Sequence, residues 1–392
     1  MSRPATSKIY NTQFWLLCLS SLLFFASFNM IIPELPAYLT SLGGAEYKGL
    51  IISLFTLTAM ISRPFSGRLA DKYGRVPVII FGSAVCFICG FLYPVLSSVT
   101  GFLFIRLVHG FSTGFTPTGQ SAYLSDVIPA ERRGEAMGLL GTAGSIGMAA
   151  GPSAGGLLAN HFSINFLFYC SSFLALLAII ILKGVRETLP VRNKFSLNMM
   201  RIRYHDLFDF GVWIPCFVMV LSAFAYGTML TIVPDFGDYT GIRNKGLLFA
   251  FFTIASLAVR LIGGKASDRF GRKSILKISV TLIVVAMTWI AFADDPGDLI
   301  VGMSLYGLGH GMTAPTLLAW ATDLSDPKHK GRGIASLYVA MELGIGSGAL
   351  ISAMIYDNSA ANFMNTFLTC AFLGALAFLF LMLVPAPQIT TE

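Results

Sequence analysis

Apolar residues run along this chain in stretches of about twenty, separated by short polar interruptions, from one end to the other. Twelve such stretches stand at about residues 13–38, 48–66, 76–97, 100–124, 135–158, 163–183, 210–234, 246–264, 274–293, 298–322, 333–356 and 361–384. Roughly 20 residues of helix cover about 30 Å of hydrocarbon. A segment that apolar must be helical in lipid, where unpaired backbone groups find no partner. The pattern predicts an all-α membrane protein with twelve transmembrane helices. One long polar stretch, residues 186–209, divides them six and six. The expected organisation is an N-terminal six-helix lobe over residues 1–183, a cytoplasmic linker over 184–209 and a C-terminal six-helix lobe over 210–392.

The composition agrees. The chain is 55% hydrophobic and 12% charged, with a mean hydropathy of +0.72, whereas soluble domains carry about 25% charged residues. The net charge of +7 matters through its distribution. With the N-terminus in the cytoplasm, Arg3, Lys8, Arg132, Arg133 and the basic run from Lys183 to Arg203 fall inside. Only Lys48, Arg243 and Lys245 fall outside. That is the positive-inside bias; it predicts both termini in the cytoplasm, and it makes the basic excess a report of topology rather than of a nucleic-acid partner. The first span is too long for a signal-peptide core and is expected to stay. The lack of an N-glycosylation sequon and of large outer loops fits a bacterial inner membrane. Six cysteines all lie in apolar spans, where packing is the expected role, the Cys86–Cys89 pair included.

Two charged knots break the apolar pattern in the same way: "GRLADKYGR" at 67–75 and "GKASDRFGR" at 264–272, 197 positions apart. Arg63 precedes the first by the interval at which Arg260 precedes the second, and Asp126 and Asp323 repeat in step. "HG" occurs at 109–110 and 310–311, so His109 and His310 are expected to occupy matching places. Duplication on this scale marks a transporter built from repeats around a midplane site. In the knots, Gly67, Gly74, Gly264 and Gly271 permit tight turns and close helix approach. Asp71 with Arg75, and Asp268 with Arg272, can pair or cap helix ends. Such a knot is either a latch on a cytoplasmic gate or a topology anchor.

These residues resemble the major facilitator superfamily. Gly67 to Arg75 is similar to that superfamily's loop between spans 2 and 3, and Gly264 to Arg272 repeats it. "RLVHG" at 106–110 resembles its intramembrane arginine element, with His109 replacing the usual glutamine; Glu34 stands where an apolar residue is usual. "GMAAGPSAGG" at 147–156 resembles the antiporter motif of twelve-span proton-coupled exporters. The resemblance implies two pseudo-symmetric lobes, alternating access and efflux of drugs or metabolites. It also implies that Asp126 joins Asp71 and Arg75 in a charge cluster closing the inside, with Asp323 the counterpart in the second half. In the span-5 motif, Gly147, Gly151, Gly155 and Gly156 give small-xxx-small steps for close helix approach, and Pro152 bends the helix.

Charged residues within spans are costly and usually functional. Glu342 lies ten residues after Arg332, roughly 15 Å deep at the helical rise, suited to carrying a proton or contacting substrate. Tyr338 is one turn away on the same face. Arg106 is the expected counter-charge, on a face with His109 or Gly110, Thr113 and Pro117; it requires a carboxylate, carbonyls or water. His109 and His310 are either buried neutral residues or a proton relay. Glu34 and Asp235 are paired acids at the outer ends of spans 1 and 7, as vestibule residues or helix caps. The expected function is a proton-coupled antiporter exporting a small organic solute, with a proton-coupled symporter for uptake as the alternative. An enzyme is disfavoured: no metal-ligand cluster, nucleophile elbow on a strand-to-helix turn or nucleotide-phosphate loop occurs. Expected partners are a small-molecule substrate, protons and the lipid bilayer, with no nucleic acid, metal or cofactor, and the chain acting as a monomer.

Overall fold

The computed structural model describes residues 10–129, 132–189, 208–325 and 330–384, without the side chains of residues 133, 134, 261–265, 330 and 331. Twelve long helices follow one another: α1 Thr12–Ile31, α2 Lys48–Lys72, α3 Arg75–Leu92, α4 Val99–Val127, α5 Arg133–His161 and α6 Ile164–Leu182 form the first six. The second six are α7 Trp213–Tyr239, α8 Gly246–Phe270, α9 Arg272–Ala291, α10 Pro296–Leu324, α11 Lys330–Tyr356 and α12 Phe363–Leu383. A short helix, Leu35–Ser41, continues α1 beyond Pro33. Side-chain oxygens start several of them: Asn11 accepts from the Phe14 amide, Ser98 from Gly101, Ser163 from Phe166 and Asp295 from Asp298, each filling an otherwise orphan donor.

The apolar pattern located every helix but stopped short at the knots. α2 continues to Lys72 and α8 to Phe270, past the apolar ends near 66 and 264, because a helix leaving lipid still satisfies its own backbone. The chain then reverses at Gly74 (φ 143°) and Gly271 (φ 86°), conformations that favour glycine. Eight of the helical segments have the length and apolar content of a membrane crossing, and α8 is apolar over Gly246–Arg260. The described parts of α4, α5 and α10 fall short of that apolar content. These three carry interior glycines, hydroxyls and a proline each, and they pack against other helices.

The two sets of six are built alike. α1 packs on α5 as α7 packs on α11, and α2 packs on α4 as α8 packs on α10; the lobes meet where α2 touches α11 and α5 touches α8. The glycines give the register. Gly110 lies against the Phe55 carbonyl, and Gly307 against that of Phe252; Gly114 lies against Ala59, and Gly311 against Ser256. Each pair is 197 positions apart, as are the knots. The expected match of His109 with His310 is therefore corrected: their spacing is 201, one helical turn too long. Tyr306 is the counterpart of His109, and Thr113 that of His310. Residues 190–207, most of the expected linker, lie outside the described residues, as do the outermost residues at both chain ends.

Candidate functional site

Between the lobes lies a cavity of about 1510 Å³. It reaches the knot end, where Gly67, Arg68, Asp71 and Arg332 line it. It stops short of the opposite end, where the lobes touch. There Gly49 of α2 lies on Ala349 and Ala353 of α11, and a Cβ on Gly246 of α8 would stand 1.9 Å from the Pro152 carbonyl of α5. Asn160 donates to the Arg243 carbonyl at 3.0 Å, and Asn244 to that of Ser153 at 3.3 Å. Lys48 pairs with Asp235 across the same seam.

In the cavity wall, Arg63 of α2 donates through Nη2 to Glu342 of α11 at 2.5 Å, with the two side chains 13% and 6% exposed. The guanidinium lies 4.8 Å from the Tyr338 ring centroid. The pair joins the two lobes, and it gives Glu342 a partner other than the expected Arg106. Arg260 of α8 holds the place of Arg63 in the other lobe, and Ser145 of α5 holds that of Glu342, both 197 positions away. Arg260 Nη1 donates to Ser145 Oγ at 2.8 Å. The same cross-lobe contact is thus made twice, once with a carboxylate and once with a hydroxyl. Arg63 and Arg260 entered the sequence reading only as landmarks of the repeat. The available signal was their charge inside apolar spans at equal distances before the knots.

Arg106 lines the cavity but is turned into its own lobe, 1% exposed. Its Nε donates to the Ile51 carbonyl at 2.7 Å, its Nη1 to Tyr93 Oη at 3.2 Å, and the Phe55 ring covers it at 4.6 Å. Carbonyl, phenol and ring provide the required surroundings. Thr113 and Pro117 face the cavity as expected of that side of α4. His109 does not: it is fully buried, 3.1 Å from Tyr93 Oη and 3.3 Å from Cys86 Sγ. His310 does line the cavity, stacked on Tyr226 at 4.9 Å and 13°. Glu34 and Asp235 lie outside the cavity wall. Glu34 ends a short 3-10 turn in the field of Lys245 and Asp238, and Asp235 is held by Lys48.

The knots are charge clusters, and the described ion pairs of each lie within one lobe. Arg75 bridges Asp71 (2.6 Å) and Asp126 (3.0 Å). Arg272 bridges Asp268 and Asp323, the latter at 2.9 Å, and also donates to Ser267 at 2.7 Å. Asp126 thus joins Asp71 and Arg75 as the resemblance implies, and the cavity extends to Asp71 in this conformation. Gly264 falls among the residues whose side-chain surroundings are outside the described set. In α5, Gly147, Gly151 and Gly155 face the α1 backbone, and a Cβ on Gly155 would stand 2.0 Å from the Met30 carbonyl. Gly156 faces Asn244 of the other lobe. The motif therefore works at two seams, inside its lobe and between lobes. Among the described residues no group of three or more His, Cys, Asp and Glu is placed to hold a metal.

The family model described as Major Facilitator Superfamily matches residues 17–243 and 215–392. The chain is 28% identical over 352 residues to a protein named multi-drug resistance efflux pump PmrA from Streptococcus pneumoniae, covering 86% of each. It is 26% identical over 366 residues to multidrug resistance protein MdtG from Salmonella typhimurium, covering 90% of each. Among solved structures, a D-xylose-proton symporter superposes with a TM-score of 0.79 at 19% identity, over 97% of this chain and 99% of the other. The human organic anion transporter MFSD10 superposes with a TM-score of 0.75 at 19% identity, over 97% and 100%. At those identities the likeness is one of fold.

Proposed function

The chain belongs to the Major Facilitator Superfamily, and from that premise and the cavity we propose that this multi-pass membrane protein is a proton-coupled antiporter that exports a small organic solute by alternating access. The observation that carries the reading is the Arg63–Glu342 pair, the acid of one lobe bound to the arginine of the other in the cavity wall. With Glu342 charged, the pair ties α2 to α11. A proton on Glu342 removes its charge and much of the attraction, freeing the two helices to separate; loss of the proton restores the tie. Substrate in the cavity and a proton on Glu342 thus bias the same seam, which is the requirement for coupling.

The knots mark the cytoplasmic side in this reading, so the conformation described is open inward and sealed outward. When the lobes rock, the knots approach one another and the outer seam of Lys48–Asp235 and Pro152–Gly246 parts. We place the protein in a bacterial inner membrane with both termini inside, acting as a monomer on protons and a solute. The two lobes extend over residues 1–183 and 210–392, with 184–209 as linker. Support for export comes from the names of the sequence relatives and the glycine–proline motif of α5.

Everted vesicles energised to an acidic interior provide the test. Addition of an exported compound should dissipate the proton gradient with the native chain, and Glu342→Gln should abolish the response. A Glu342→Gln protein that still couples would remove Glu342 from the proton path. Accumulation driven by a gradient of the opposite sense would replace export with symport.

A further inference from the structure

The cavity wall carries more arginines than acids. Its wall includes Arg63, Arg68, Arg106, Arg260 and Arg332, with Asp71 and Glu342 as the acids. Both acids are engaged inside the protein, Asp71 by Arg75 and Glu342 by Arg63. Among the described residues no carboxylate lies within ion-pair distance of Arg106 or Arg260. Arg106 is enclosed by a carbonyl, a phenol and a ring, which leaves little of it for a solute. Arg260 is different. Its one described hydrogen bond runs to Ser145, a hydroxyl in the position where the other lobe carries an acid. A guanidinium has five N–H donors in a planar fork matched to a carboxylate or sulfonate. Around it stand Tyr226, Tyr338 and the His310 ring stacked on Tyr226, all lining the cavity.

We propose that the solute taken by this cavity is an aromatic organic acid, its carboxylate or sulfonate docking on Arg260 and its ring lying against Tyr226 and His310. The inference rests on the carrier reading of this cavity and adds the chemistry of the cargo. The duplicated architecture explains the geometry. Had the first lobe carried an acid at position 145, Arg260 would be paired within the protein as Arg63 is. With serine there, the solute supplies the missing anion. The same design disfavours a purely cationic solute, which would meet a wall whose acids are already neutralised.

Three xanthene dyes separate the charges: fluorescein, rhodamine B with its free carboxylate, and rhodamine B ethyl ester, close to rhodamine B in size but with that group masked. Fluorescence anisotropy would be measured on the purified full chain in lipid nanodiscs with no ion gradient. Fluorescein and rhodamine B should bind at least tenfold tighter than the ester. Arg260→Gln should erase the preference. Ser145→Glu should erase it as well while leaving Arg260 present, so the inference does not depend on one variant folding; melting temperatures check both. The inference is overturned if the ester binds native protein as tightly as rhodamine B. It is equally overturned if the preference survives in both variants, or if no dye binds. Proton coupling is read separately, by pH change in vesicles. A chain that prefers the ester and still moves protons with it would sink this inference alone. One that prefers the acids and moves no protons would sink the antiporter reading alone.

Discussion

Positions 145 and 342 are the same place in two copies of one fold, and they hold a serine and a glutamate. The interiors of the lobes differ in the same manner. In the first, Arg106, Tyr93, His109 and Cys86 form a buried polar chain. The positions 197 further on are Met303, Ile290, Tyr306 and Ile283, all buried, and Tyr306 Oη has no hydrogen-bond partner among the described residues. Backbone contacts were kept through the duplication at Gly110 and Gly307, Gly114 and Gly311, Gly147 and Gly344, and Gly151 and Gly348. Side-chain chemistry was not. Packing restrains each lobe separately, whereas a carrier uses one cavity, so the two walls are free to take different charged roles.

The comparison breaks most visibly at the cross-lobe pairs. Glu342→Ser makes the two copies alike and leaves Arg63 buried without its acid, a change worth about 3–5 kcal/mol when a buried pair loses one partner. A large drop in thermal stability in detergent is expected. Ser145→Glu combined with Glu342→Ser moves the acid to the other seam, and the melt should recover most of that loss. Recovery shows that either seam can hold the pair; failure shows that Arg260 cannot reach as Arg63 does.

The next effect tests the part the lobes share. Gly151→Ala would set a methyl 2.7 Å from the Ala26 carbonyl, and Gly348→Ala, its counterpart, one 2.1 Å from that of Phe224. Each should cost about 1–3 kcal/mol by overpacking, with the two melts close to one another. Unequal losses would mean that Pro152, present only in the first copy, changes how that seam yields.

A smaller difference separates the knots. The Glu187 carboxylate accepts from the Arg75 and Val76 amides, both at 3.0 Å, and Thr188 donates to Asp126 at 2.6 Å. The start of the connecting segment is thereby fastened to the first lobe, and a side chain on Gly74 would meet Glu187. Among the described residues nothing stands within 4 Å of where a side chain on Gly271 would begin. Glu187→Ala should weaken the start of α3 by about 0.5–2 kcal/mol, read as faster amide exchange at Arg75 and Val76, with α9 unchanged. Smallest of all, Asp268→Asn removes a largely exposed acid and should alter stability by about 0–1 kcal/mol.

The helices were legible because lipid enforces apolar length, and the two-lobe plan because the knots and glycines repeat. The contacts of the site were less so. Glu342 was recognisable as a charge inside a span, but its partner was not, because helices 279 residues apart in sequence meet only in the fold. Arg106 was assigned to the cavity from helical spacing, and that spacing does not say whether a long side chain points outward or folds back onto Ile51 and Tyr93. His109 was paired with His310 by a dipeptide, which repeats by chance more easily than a backbone contact does. That the cavity reaches the first knot follows from conformation, which a sequence does not specify.

The modest apolar content of α4, α5 and α10 has a consequence for biogenesis. During insertion each segment partitions between the translocation channel and lipid according to its own apolar content. These three are weak candidates to enter alone, yet each has a more apolar neighbour to lean on: α3 for α4, α1 for α5 and α9 for α10. All of those neighbours are made earlier in synthesis. The chain order thus places a resident, more apolar helix beside the channel before each reluctant one emerges.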